Sequence, residues 1–135
     1  MDQVNQIFQV MTYDIDFAGI VSNITYIRWL EDLRNFYADQ VLPIGTALKR
    51  GIVPALGRTE IDYLAPVRFP DKVAGRMWLS ERGNAKFVLS AEFISQTAGI
   101  ITAKSKQLGV FVSQATFRPV PLPEEFKMVD LIPTD

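Results

Sequence analysis

The 135-residue chain contains no cysteine and no histidine. Without cysteine it can form no disulfide, hold no thiolate zinc site and present no thiol nucleophile. Without histidine it lacks the commonest general base, the Ser-His-Asp arrangement and the usual transition-metal ligand. Any catalysis must rest on carboxylates, hydroxyls, lysines or backbone amides. Charge of one sign is also missing. Fourteen basic residues against fifteen acidic ones leave a formal net charge of −1, which makes no general electrostatic case for nucleic acid. No stretch approaches the ~20 apolar residues of a spanning helix. The start, "MDQVNQIFQVMTYD", lacks the basic-then-apolar plan of a secretory signal. The expectation is a cytoplasmic protein with neither nucleic-acid nor membrane partners.

Hydrophobic residues make up 48% of the chain, enough for a real core and too many for a disordered tail. The length suits one domain, residues 1–135. Gln6 to Tyr13 alternates like a strand. From Ile24 the period changes, and Ile24, Ile27, Leu30, Leu33, Tyr37 and Val41 recur at helical spacing. Ser22 or Asn23 supplies the N-cap, and Pro43 with Gly45 ends the helix near Val41. Leu42 to Thr59 is turn-rich and only partly regular. Strands follow at Thr59–Val67, Lys72–Glu81, Lys86–Thr97 and Ile100–Phe117, the last long enough to bend at Gly109. From about residue 119 the tail carries four of the eight prolines and reads as an extended surface segment. One helix and a run of antiparallel strands make two layers, an α+β domain with the helix packed on a curled sheet.

The segment "YDIDFAGIVSNITYIRWLEDLRNFY" (13–37) joins the first strand to the helix. Asp14 and Asp16 lie two apart, so continued strand geometry would aim both side chains at one face. The bland reading is an Asx-turn, or a favourable charge at the positive end of the helix dipole. No further oxygen cluster accompanies the pair, so a metal site is not expected. The functional reading takes in the whole segment. Ala18-Gly19 turns the chain tightly and lets a ligand approach the backbone. The amides around Ser22, Asn23 and Ile24 open the helix without intrahelical partners. A carbonyl oxygen placed there would meet an oxyanion site. A carboxylate held opposite can attack the carbonyl carbon or activate water.

The same segment resembles the signature of the 4-hydroxybenzoyl-CoA thioesterase family of hotdog-fold acyl-CoA thioesterases. Asp14, Asp16, Gly19, Val21, Tyr26 and Glu31 match in order and spacing, and "RGIV", "FPD" and "FRPVPLPEE" are similar to family members in corresponding places. The resemblance implies a hotdog fold, in which a curved antiparallel five-stranded sheet wraps a long central helix. It implies an acyl-CoA substrate hydrolysed to a free acid and CoA, with no cofactor. Asp16 would be the nucleophile or general base, and the Asn23 amide would polarise the thioester carbonyl. Gly19, Val21 and Glu31 would border the substrate, with Glu31 the counterpart of an acidic residue that meets a ring hydroxyl. Arg82, Lys86 and Arg118 would meet the CoA phosphates. The side chains at Asn23 and Thr25 depart from the family pattern. The resemblance also implies a homodimer joined sheet edge to sheet edge, commonly paired again into a homotetramer, with the site at the subunit boundary. The alternative is a non-catalytic hotdog module that binds an acyl or aromatic ligand. A dehydratase of this fold would need the histidine that the chain lacks.

Overall fold

The computed structural model describes residues 3–134. Five strands form one antiparallel sheet in the order β1-β3-β4-β5-β2: β1 Gln3–Gln9, β2 Ile52–Tyr63, β3 Lys72–Arg82, β4 Lys86–Ser95 and β5 Ile101–Ser113. Helix α1 spans Asn23–Val41, α2 Ile44–Lys49 and α3 Glu124–Lys127. The sheet curls around α1, which packs on β1 and β3. This is the architecture expected from the sequence. Among the described residues, no helix is long and apolar enough to cross a membrane.

Helix α1 begins and ends where its signals lie. Ser22 is the N-cap, its Oγ accepting from the Thr25 N–H at 3.2 Å. The buried face is turned from the expected one at its start. Ile24 and Ile27 are exposed, while Thr25, Tyr26 and Trp29 are buried. The aromatic rings decide this: Trp29 stacks on Phe8 at 5.0 Å and Tyr26 meets Phe93 edge-on at 5.1 Å. Further along, Leu30 and Leu33 are wholly buried. Each contributes about 1.5–3 kcal/mol by leaving water.

Three other segments differ from expectation. Strand β1 stops at Gln9, and Thr12–Asp14 form a 3-10 turn instead of continuing it. Strand β2 starts at Ile52, seven residues before the sequence signal, and holds Pro54 within it. An edge strand tolerates proline because one row of its backbone groups is unpaired anyway. The register irregularity between β2 and β5 falls at Leu56/Arg58, with Leu56 opposite Gly109, so the extra residue is Gly57 of β2 and lies across from the expected bend. Gly109 also serves close packing. A Cβ there would lie 2.5 Å from Phe87 Cζ.

The tail runs without helix through 119–123 and then folds back. Phe126 in α3 is 5% exposed and meets Phe111, Phe87 and Tyr37 at 5.0, 5.3 and 6.1 Å. Leu122 is equally buried. The tail thus closes the core at one end of the sheet, and is not only a surface strap.

Candidate active site

The chain from Asp14 to Ser22 forms a closed loop at the mouth of α1. Ile15 bridges Val21, the Asp16 N–H donates to the Ile20 carbonyl at 2.9 Å, and the Ser22 N–H donates to the Asp14 carbonyl at 2.9 Å. The Val21 N–H donates to Val67 O at 2.8 Å and ties the loop to the segment after β2. Gly19 completes the turn at φ +77°. Its Cα faces open space, so backbone conformation, not crowding, requires glycine there.

The two aspartates have different surroundings, because Asp14 ends the 3-10 turn and Asp16 opens the loop that follows it. Asp14 is buried, and its Oδ2 accepts from the Met11 N–H at 2.8 Å. Its carbonyl also accepts the Thr25 hydroxyl at 3.1 Å. Asp14 is therefore built into the junction between turn and helix. Asp16 is exposed. Its Oδ1 accepts from the Ala18 N–H at 2.8 Å, so the Asx-turn is realised. That bond fixes the carboxylate's direction and leaves Oδ2 without a donor among the described residues.

Next to it, the first turn of α1 presents its amides. The Ser22 cap engages Thr25 N, and Tyr26 N reaches the Ser22 carbonyl at 3.4 Å. The N–H groups of Asn23 and Ile24 have no acceptor among the described residues. An exposed carboxylate and two unpaired amides at a positive dipole end suit a carbonyl undergoing nucleophilic attack. Around them lie exposed apolar side chains, Phe17, Ile24, Ile27 and Phe69.

The other sequence-predicted residues are spread out. The Val21 side chain is 5% exposed and belongs to the core. Glu31 is exposed on α1 and lines a cleft of about 350 Å³ with Arg34, Asn35, Pro54, Leu56, Phe87 and Phe126, among others. Arg82 is engaged by the tail through Nη1. Its guanidinium donates to the carbonyls of Phe126, at 3.1 Å, and Val129, holding the tail. Lys86 and Arg118 are exposed. All three basic residues lie at the far end of the sheet from Asp16. Arg68 bridges Ile20 just before β3 begins at Lys72, and Arg82 ends β3, about 30 Å of strand away. Within one chain, the structure does not bring them to the Asp16 loop.

Arg34 was not among the residues expected at the site. It is half-buried, and its Nη1 donates to Gln107 Oε1 at 2.9 Å. A signal was present in that an arginine on the buried-side flank of an amphipathic helix must find a partner inside. Among the described residues Arg34 makes no ion pair. Burial instead lowers the Arg34 pKa, with Glu31 acting as a weaker opposing charge. Asp71, from the quoted "FPD", latches the β4–β5 turn to the start of β3. It accepts from Ser95 Oγ at 2.6 Å and Thr97 Oγ1 at 2.7 Å.

Residues 10–128 match the family model of the Thioesterase-like superfamily. Among curated proteins, none matches by sequence. Solved structures share the fold. A DHNA-CoA thioesterase from Staphylococcus aureus superposes with TM-score 0.83 at 19% identity, covering 94% of this chain and 85% of that one. A gentisyl-coenzyme A thioesterase gives 0.80 at 24%, with 93% and 100% covered. A hypothetical protein from Staphylococcus aureus, solved in complex with CoA, gives 0.85 at 15%, with 93% and 79% covered.

Proposed function

This chain belongs to the thioesterase-like superfamily, and from that premise we propose that it hydrolyses acyl-CoA thioesters to a free acid and CoA. The observation that carries the proposal is the closed loop that holds a directed, half-engaged carboxylate beside two unpaired helix amides. The thioester oxygen accepts from the Asn23 N–H at the positive end of α1. Asp16 then attacks the carbonyl carbon, or takes the proton from an attacking water. The tetrahedral intermediate collapses with loss of the CoA thiolate. When water attacks, the proton taken by Asp16 passes to the thiolate. When Asp16 attacks, water hydrolyses the acyl-aspartyl anhydride that is left to the free acid and the Asp16 carboxylate, and supplies the thiolate's proton. Asp14, buried and bonded, keeps the loop in shape. The resemblance of residues 13–37 to the 4-hydroxybenzoyl-CoA thioesterase pattern supports this assignment. Fold neighbours that are CoA thioesterases, and one solved in complex with CoA, support CoA as the carrier.

The working unit is proposed to be at least a dimer. Both edge strands are open, but they differ. Strand β1 is seven residues with a glutamine-rich rim, while β2 has twelve and leaves Leu56, Tyr63 and Leu64 exposed. An uncovered edge of the second kind calls for a partner. Antiparallel pairing of β2 with β2 of a second copy sets the Tyr63 end of one beside the Ile52 end of the other. Asp16 of one protomer then lies toward Lys86 and Arg118 of the second copy, so one site draws on both chains. Arg82 acts there only by seating the tail.

The test is Asp16→Asn, assayed on a panel of acyl-CoAs with a thiol reagent. The variant keeps shape and loses the carboxylate, and kcat should fall at least ~100-fold. A folded Asp16→Asn protein with near-normal turnover overturns the assignment. A wild-type protein that binds acyl-CoA and releases no thiol overturns hydrolysis itself.

A further inference from the structure

Thr25 is the third residue of α1 and is 1% exposed. Its hydroxyl joins two elements. Oγ1 donates to the Asp14 carbonyl at 3.1 Å and lies 3.0 Å from Ser22 Oγ. Each hydroxyl has one proton to give. Thr25 gives its proton to Asp14, since a carbonyl can only accept, so the proton between the two hydroxyls comes from Ser22. Ser22 Oγ in turn accepts the Thr25 N–H at 3.2 Å. The Asp14 carbonyl also takes the Ser22 N–H, at 2.9 Å. Two donors from the opening of α1 thus converge on the carbonyl from which the Asp16 loop starts.

The helix is fixed to the sheet by Tyr26, whose hydroxyl donates to Thr102 Oγ1 at 3.0 Å. The loop is closed within itself by the Asp16 N–H bond to Ile20 O, and the Ala18 N–H directs its carboxylate. What the Thr25 hydroxyl adds is a tie between loop and helix, and that tie sets the gap between Asp16 and the amides of Asn23 and Ile24. At 1% exposure the side chain is closed to a substrate. We infer that Thr25 is a positioning residue for thioester cleavage, holding the carboxylate at its working distance from the amides without touching the acyl group. The departure of Thr25 from the family pattern therefore bears on rate and not on acyl preference. The inference rests on the thioesterase reading for its effect on rate, but not for the tie itself.

The test compares Thr25→Val with Thr25→Ser in the full chain. Valine keeps the shape and the N–H but has no hydroxyl, while serine keeps the hydroxyl and loses a methyl. Turnover of an acyl-CoA panel is followed with a thiol reagent, below the melting range of each variant. Thr25→Val should lower kcat ~10- to 100-fold, the scale of a misplacement of about 1 Å. KM should stay within about threefold, because no binding contact is lost. Thr25→Ser should recover most of the rate. The ratio of kcat/KM between long and short acyl groups should be the same in all three proteins. Combined with Asp16→Asn, Thr25→Val should cost far less than it does alone, since no carboxylate is left to place. Amide exchange reads the tie without substrate. Relative to Leu33 in the core, the Asp16 and Ser22 N–H groups should exchange about three- to tenfold faster in Thr25→Val, the scale of one hydrogen bond. In Thr25→Ser they should exchange as in the wild type. Should Thr25→Val not fold, Thr25→Ala stands in its place under the same expectations. A wild-type kcat in Thr25→Val overturns the inference, as does an equal loss in Thr25→Ser, which would make packing of the methyl the cause. So does a changed acyl ratio, which would put the side chain against the substrate, or a loss that adds in full to that of Asp16→Asn. If the wild type cleaves no thioester, the thioesterase reading fails and exchange decides the tie: faster exchange in Thr25→Val upholds it and unchanged exchange ends it. If thioesters are cleaved and Thr25→Val is normal in rate and exchange, only the tie fails.

Discussion

The two ends of the sheet treat polar groups in opposite ways. At the tail end the polar groups are spent on the fold. Arg82 donates to two tail carbonyls, the Ile132 N–H donates to Leu79 O, and Trp78 Nε1 donates to Thr134 Oγ1. At the helix-mouth end, Asp16 keeps one oxygen and α1 keeps two amides without acceptors among the described residues. Unpaired polar groups give up hydrogen bonds that would favour folding. A chain that ties Arg82 and Trp78 into the fold at one end, and leaves a carboxylate oxygen and two amides open at the other, suits that second end to a ligand with a carbonyl group.

The largest effect that sharpens this contrast belongs to the tail end. Phe126 is packed among three aromatic rings, so Phe126→Ala should cost about 3–5 kcal/mol. Chemical denaturation would read this as a lower midpoint. A loss below 1 kcal/mol would mean that the tail is not part of the core. At the mouth the effect should fall on rate and not on stability. Asn23→Pro deletes one N–H while suiting the first helical position. It should lower kcat ~100- to 1,000-fold, about 2.7–4 kcal/mol for one oxyanion donor. Asn23→Ala retains the amide and should stay within about tenfold. Equal loss in both variants would move the role to the side chain and break the comparison as drawn.

Sequence legibility followed the same division. Strand β3 was readable to its last residue but one, and α1 to its final residue, because period and breakers agree there. Strand β2 was half hidden by Pro54, which is harmless only because the strand is an edge. The tail was misread because Leu122 and Phe126 sit among prolines, and composition cannot say what a proline-rich segment folds onto. On α1 two stripes share Leu30, Leu33 and Tyr37 and diverge toward the N-terminus. Ring packing against Phe8 and Phe93 chose Tyr26 and Trp29 over Ile24 and Ile27, and those partners are far away in sequence. The Asp16–Gly19 turn was legible from local chemistry. The burial of Asp14 was not, since it depends on a 3-10 turn with no sequence signature.

The smallest effect probes a carboxylate at the mouth end that resembles the tail end in its bonding. Asp71 is half-buried. Burial pushes its pKa up, but donors from Ser95, Thr97 and the Lys72 amide outweigh that and hold it below its ordinary value of 3.8. A carboxyl group depressed in the folded state stabilises the fold above its unfolded pKa. That contribution is lost as pH falls through the folded value. Solvent screening keeps it to about 1 kcal/mol. Asp71→Asn should therefore melt about 4 °C lower at pH 7. The gap between the two proteins should narrow steadily below about pH 4, because the wild type then loses the charge that the variant never had. Thioester hydrolysis at pH 7, measured well below the melting range, should be untouched, since every bond of the Asp71 carboxylate goes to the turn and to β3. A gap constant down to pH 3 would mean that shape, and not charge, holds the latch. A large fall in kcat without a change in melting would place Asp71 with Asp16 among the groups reserved for chemistry, and the division between the two ends would no longer hold.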